Sequence, residues 1–80
     1  MSARITLYSR PGCHLCDDAR AVIERVCAAT GESYREISID GDPQLRERYG
    51  EEIPVTLVDG RQHDFWRVDE GRLRAALTSR

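Results

Sequence analysis

Residues 5–16 read Ile5-Thr6-Leu7-Tyr8-Ser9-Arg10-Pro11-Gly12-Cys13-His14-Leu15-Cys16. The first five alternate and are β-prone, which predicts a strand. Arg10-Pro11-Gly12 breaks it. A helical pattern then runs from about Cys13 to Thr30, with Leu15, Ala19, Val22, Ile23 and Val26 as its apolar stripe and Gly31 as its stop. Cys13 and Cys16 therefore fall at the junction of turn and helix, close enough to interchange dithiol and disulfide. Cys13 stands near the N-cap, where backbone N–H groups favour a thiolate. Exposed at the tip, it is the expected attacking sulfur. Cys16, one turn further in and shielded, is expected to resolve the mixed disulfide by attacking the Cys13 sulfur.

Outward from this stretch, Tyr34 to Ile39 alternates and predicts a second strand. Asp42 is a candidate N-cap with Pro43 in the first position of a short helix. Leu45 and Tyr49 lie one turn apart on that helix, and Gly50 ends it. Ile53 to Val58 predicts a third strand, and Asp59-Gly60 a tight hairpin turn. A polar return strand runs from Arg61 to about Arg67. Asp69 caps a last helix carrying Leu73, Ala76 and Leu77, with Val68 placed to staple onto Leu73. The order β-α-β-α-β-β-α, with a right-handed parallel crossover between the first two strands, predicts a small α/β domain: a four-stranded mixed sheet flanked by three helices. At 80 residues the chain makes a single domain, residues 1–80.

Bulk composition narrows the function. A net charge of -2, with no basic block, leaves no electrostatic footprint for nucleic acid or an anionic membrane. The amino-terminal stretch has no apolar run long enough for a signal peptide, and none of the chain suits a membrane span. A cytoplasmic monomer is expected. In that compartment cysteines are more often catalytic or metal-binding than structural, and three cysteines do not pair into a disulfide framework. A zinc site would need a second ligand pair at metal spacing. His14 lies inside the Cys13–Cys16 pair, while Cys27 and His63 stand alone, so no metal is expected.

Charges near Cys13 pull both ways. Arg10 and the helix N-terminus favour its thiolate, Asp17 and Asp18 oppose it, and N–H···S⁻ hydrogen bonds tip the balance towards a lowered thiol pKa. Pro54 is the second half of the site. A cis peptide bond at Ile53–Pro54 would turn the Ile53 backbone outward, so that an extended substrate could pair with it as an added strand.

Tyr8-Ser9-Arg10-Pro11-Gly12-Cys13-His14-Leu15-Cys16 resembles the signature of the glutaredoxins, and the element order is similar to their thioredoxin-like fold over essentially the whole chain. The nearest group is the short bacterial glutaredoxin-like proteins with a Cys-His-Leu-Cys site. The resemblance implies a thiol–disulfide oxidoreductase with Cys13 as nucleophile, Cys16 as resolving cysteine and a cis Pro54, acting on protein or small-thiol mixed disulfides. No tightly bound cofactor is implied. Glutathione or another low-molecular-weight thiol is a possible co-substrate, and a disulfide reductase a possible partner. Arg10 matches the basic residue that glutaredoxins place near the glutathione carboxylate, and Asp69 the acidic residue that holds a thiol's α-amino group. His14, Leu15 and Ile53 complete the expected binding surface.

Three departures stand out: His14-Leu15 replaces Pro-Tyr, Glu52-Ile53 replaces Thr-Val, and Trp66-Arg67 stands where a Gly-Gly pair admits glutathione. The bulky pair favours protein disulfides or another thiol over glutathione. It also motivates the alternative of a non-catalytic thioredoxin-fold module that binds protein or senses redox state. Cys27 reads as a small core hydrophobe, with a third reactive thiol as its alternative. His14 reads equally as a thiolate stabiliser or an exposed residue that merely tunes potential. His63 reads as solvated, and Trp66 as a half-buried edge aromatic or a substrate platform.

Overall fold

The computed structural model describes residues 3–78. Its elements are β1 (Ile5–Ser9), α1 (His14–Thr30), β2 (Tyr34–Ser38), a 3-10 turn (Ile39–Gly41), α2 (Pro43–Tyr49), β3 (Val55–Val58), β4 (Arg61–Phe65) and α3 (Glu70–Thr78). The sheet order is β2-β1-β3-β4. β1 and β2 are parallel, as the α1 crossover requires, whereas β3 lies antiparallel to both β1 and β4. This is the thioredoxin-like α/β architecture expected from the sequence.

Alternation along β1 divides its side chains between two layers. Ile5 and Leu7 meet Ala19, Ile23 and Val26 of α1, Leu73 and Leu77 of α3, and Val58 in one core. Fully burying such a side chain contributes about 1.5–3 kcal/mol. On the other face the Tyr8 ring stacks on Tyr49 of α2, centroids 5.1 Å apart.

The α1 seam differs from the sequence reading. Cys16, Ala19, Ile23 and Val26 form its buried line, while Leu15 is exposed and Val22 only part-buried. The helix is rotated so that Leu15, Ala19 and Val22, at i, i+4 and i+7, border the segment 66–68.

The caps follow the sequence. Asp42 accepts from the N–H groups of Gln44 and Leu45 at 2.9 and 3.3 Å. Asp69 accepts from the N–H of Arg72 at 2.9 Å, and Val68 packs on the core that holds Leu73. Gly31 closes α1 in left-handed backbone, φ 77°, its N–H donating to Cys27 O.

Strand ends shift. β2 stops at Ser38 because Ile39 enters the 3-10 turn. β3 begins at Val55 rather than Ile53, since Pro54 has no N–H to give the ladder. β4 ends at Phe65 rather than near Arg67, because Trp66 turns into left-handed backbone at φ 65°. The β3–β4 register slips between Thr56 and Leu57, which leaves His63 as an extra residue. His63 is accordingly not solvated as expected: its side chain is mostly buried, and its Nε2 has no hydrogen-bond partner among the described residues.

Candidate active site

Three loops meet at one end of the sheet. β1 runs out at Ser9 into the turn 10–13. Tyr8 pairs with Val55, which sets Pro54 at that same end, and Val55 pairs with Phe65, which sets Trp66 there too. The sheet register thus gathers the cysteine turn, the Ile53–Pro54 segment and the β4–α3 connection.

In the first loop Gly12 takes the left-handed conformation, φ 76°, at little steric cost. Cys13 then serves as the N-cap of α1 with extended backbone, and its sulfur accepts from the N–H of Cys16 at 3.1 Å. A cap sulfur that receives a helical N–H is stabilised in its charged form. The Cys13 and Cys16 sulfurs are in direct contact, with Cα atoms 5.2 Å apart, within the span that a disulfide bridges. Cys13 is partly accessible and Cys16 fully buried. Of the two sulfurs, the outer one meets a substrate first.

Two of the competing charges, Arg10 and Asp17, are paired off. Arg10 reaches Asp40 at 3.0 Å, on the far side of β1 from the 66–68 connection. Asp17 binds Arg20 at 2.7 Å. Arg20 also grips both oxygens of Glu36, at 2.7 and 2.6 Å, and the Ser9 hydroxyl donates to the same carboxylate. The Arg20 contacts hold the Glu36 carboxyl below its ordinary value, against the opposing effect of its partial burial, with Ser9 adding to them. This bracket fixes the end of β1, and so the root of the cysteine turn, against β2 and α1. The sequence reading overlooked Arg20 and Glu36. Their signal was the parallel register, which puts Glu36 opposite Leu7 on the face that also carries Ser9.

The second loop carries a cis Ile53–Pro54 peptide bond, as expected. Trp66 ties the third loop to it. The Trp66 backbone N–H donates to Pro54 O at 2.8 Å and Glu52 O at 3.2 Å. Its indole N–H donates to Glu51 O at 2.9 Å. A groove of about 160 Å³ lies between Leu15, Ala19 and Val22 on one side and Trp66 and Val68 on the other. His14 is exposed. Asp69 is exposed and engaged in capping α3. Arg10 and Asp69 therefore do not join Leu15 at the groove, whose charged lining is Asp18 and Arg67.

Among the described residues, no group of three or more His, Cys, Asp or Glu side chains could hold a metal ion. No helix among them is long and apolar enough to cross a membrane.

Comparison with known proteins agrees with the family resemblance and the fold. The family described as a glutaredoxin-like domain (DUF836) matches residues 4–78. An uncharacterised protein of Mycobacterium tuberculosis (strain ATCC 25618 / H37Rv) is 36% identical over 79 residues, covering 92% of this chain and 81% of that protein. The X-ray structure of a structural genomics target from X. campestris is similar at 36% identity and a TM-score of 0.79, covering 95% of this chain and 97% of that one. A glutaredoxin from Archaeoglobus fulgidus shares the fold alone, at 16% identity and a TM-score of 0.64, covering 96% of this chain and 88% of that one.

Proposed function

This chain belongs to the glutaredoxin-like domain family, and from that premise we propose that it is a thiol–disulfide oxidoreductase that reduces protein or mixed disulfides through Cys13 and Cys16. The observation that carries the proposal is the pairing of a partly accessible Cys13 sulfur at a helix N-cap with a buried Cys16 sulfur in contact with it. The Cys13 thiolate attacks one sulfur of the substrate disulfide. A Cys13–substrate S–S bond forms, the substrate's own S–S bond breaks, and the departing thiolate takes a proton from water. Cys16, losing its proton to solvent, then attacks the Cys13 sulfur and expels the second substrate thiolate. The substrate gains two electrons and the Cys13–Cys16 dithiol becomes a disulfide. An external thiol or dithiol reductase restores it. The cis Ile53–Pro54 segment offers main chain for an extended substrate to pair with.

A cytoplasmic setting is part of the proposal, since the dithiol must be kept reduced between turnovers. Protein disulfides, or a small thiol other than glutathione, are the favoured substrates, because Trp66 and Arg67 occupy the connection before α3. The same pair favours the second reading, a binding or redox-sensing module without turnover.

Titration against reduced and oxidised glutathione, read by intact mass, tests the dithiol, and turnover on a disulfide substrate separates the two readings. An oxidoreductase loses two hydrogens reversibly, with a midpoint of roughly -200 to -270 mV. Cys13→Ser then abolishes disulfide reduction, while Cys16→Ser accumulates the mixed disulfide on Cys13. Full turnover in Cys13→Ser would end the mechanism. A Cys13 thiol titrating near the free value of about 8.5, with no turnover, would establish the binding module instead.

A further inference from the structure

We infer that the groove beside the dithiol selects polypeptide disulfides carrying a bulky apolar side chain next to the reacting cysteine. The inference rests on the redox reading above and names its substrate class. Among the described residues the exposed large hydrophobics are Leu15, at 38%, and Trp66, at 51%. Both line this one groove, and Leu15 sits between the two reactive cysteines. Apolar residues scattered singly over a surface carry no message, but two of them lining one concavity mark a contact site.

The geometry of Trp66 adds to this. A tryptophan at φ 65° occupies backbone that side chains other than glycine adopt at a cost. The carbonyls of Glu51, Glu52 and Pro54 hold it there through its backbone and indole N–H groups. Those bonds anchor the indole while the residue stays about half exposed. The indole is thus a prearranged wall, with little ordering entropy left to lose on contact.

Charge argues for the occupant. The groove's charged lining is Asp18 and Arg67, one of each sign. With no net charge it favours peptides of neither sign, which leaves selection to its apolar lining. An apolar side chain, by contrast, loses water against Leu15, Val22, Val68 and the indole. Leu15, two residues from Cys13, borders the groove, so a side chain flanking the substrate's cysteine is placed to settle there while its sulfur meets Cys13. A groove of about 160 Å³ takes one side chain and not a helix or a second domain.

The test is single-turnover reduction by the pre-reduced full chain of two symmetrical peptide disulfides. The peptides have equal length and charge, and one carries leucine after the cysteine where the other carries glycine. The leucine peptide is expected to react faster by about tenfold, with the preference falling to about twofold or less in Trp66→Gly and largely restored in Trp66→Phe. Equal rates for the two peptides on the unmodified protein overturn the groove assignment and leave the dithiol mechanism standing, a result that needs no variant to fold. An undiminished preference in both Trp66→Gly and Leu15→Ser overturns it as well. No reduction of either peptide overturns the groove and the redox reading together.

Discussion

Cys27 shows how one chain keeps similar thiols apart. Its side chain packs part-buried against the core, and burial, with Glu32 and Glu24 nearby, pushes its thiol up. Cys13 sits at a helix cap with an N–H aimed at its sulfur. In the reduced protein at pH 7, iodoacetamide is therefore expected to modify Cys13 at least about tenfold faster than Cys27, as peptide mass spectrometry would reveal. Labelling of the two at one rate would contradict this assignment. Cys27→Ala should leave disulfide reduction unchanged.

At the scale of the element, the caps carry stability out of proportion to their size. Asp42 alone satisfies two N–H groups at the start of α2. Asp42→Ala is expected to cost about 1 kcal/mol. Calorimetry would then show Tm lower by about 4–8 °C, with disulfide reduction intact. These caps were legible in advance because they depend on neighbours in sequence: Asp42 before Pro43, Asp69 before Glu70, Gly31 after Thr30. So was the order of elements, which follows from short-range patterning. Features that depend on register were not legible. Nothing local marks His63 as the extra residue of a bulge, or Trp66 as a left-handed residue tied to Glu51. Leu15 matched the apolar period as well as Cys16 did, and only the rotation of α1 against the sheet chose between them. The cysteine pair and the proline were readable from the chain itself, whereas the Arg20–Glu36–Ser9 bracket behind them required strands to be paired.

At the scale of the whole molecule, long-range polar contacts tie loops to the elements of the core. Arg4 donates to Asp59 at 3.0 and 2.8 Å, to Glu32 at 3.1 Å and to Leu77 O at 2.9 Å, linking the hairpin turn, the α1–β2 loop and α3. Bonding to Arg4 lowers the Asp59 carboxyl, just as Arg20 lowers that of Glu36. A carboxyl lowered on folding stabilises fully above its unfolded value, and that contribution is lost as pH falls through the folded value. For Glu36 the loss begins below about 4.5. The stability gap between the natural protein and Glu36→Gln, from urea unfolding at a series of pH values, should narrow as pH falls from 5 towards 3. A gap constant over that range would show that the bracket does not hold Glu36 ionised.

The irregular step at His63 bears on how copies of this chain behave in company. β4 closes one side of the sheet, and a regular outer strand offers a row of open N–H and C=O groups to any other strand that drifts past. The extra residue interrupts that row partway along a strand of five residues. A neighbour could match its spacing for only a couple of rungs before losing step. The cysteine turn, the proline segment and the tryptophan lie at one end of the sheet, the tryptophan directly after β4 and beyond the extra residue. On the β4 side the sheet therefore resists the edge-to-edge strand addition that a regular edge would invite.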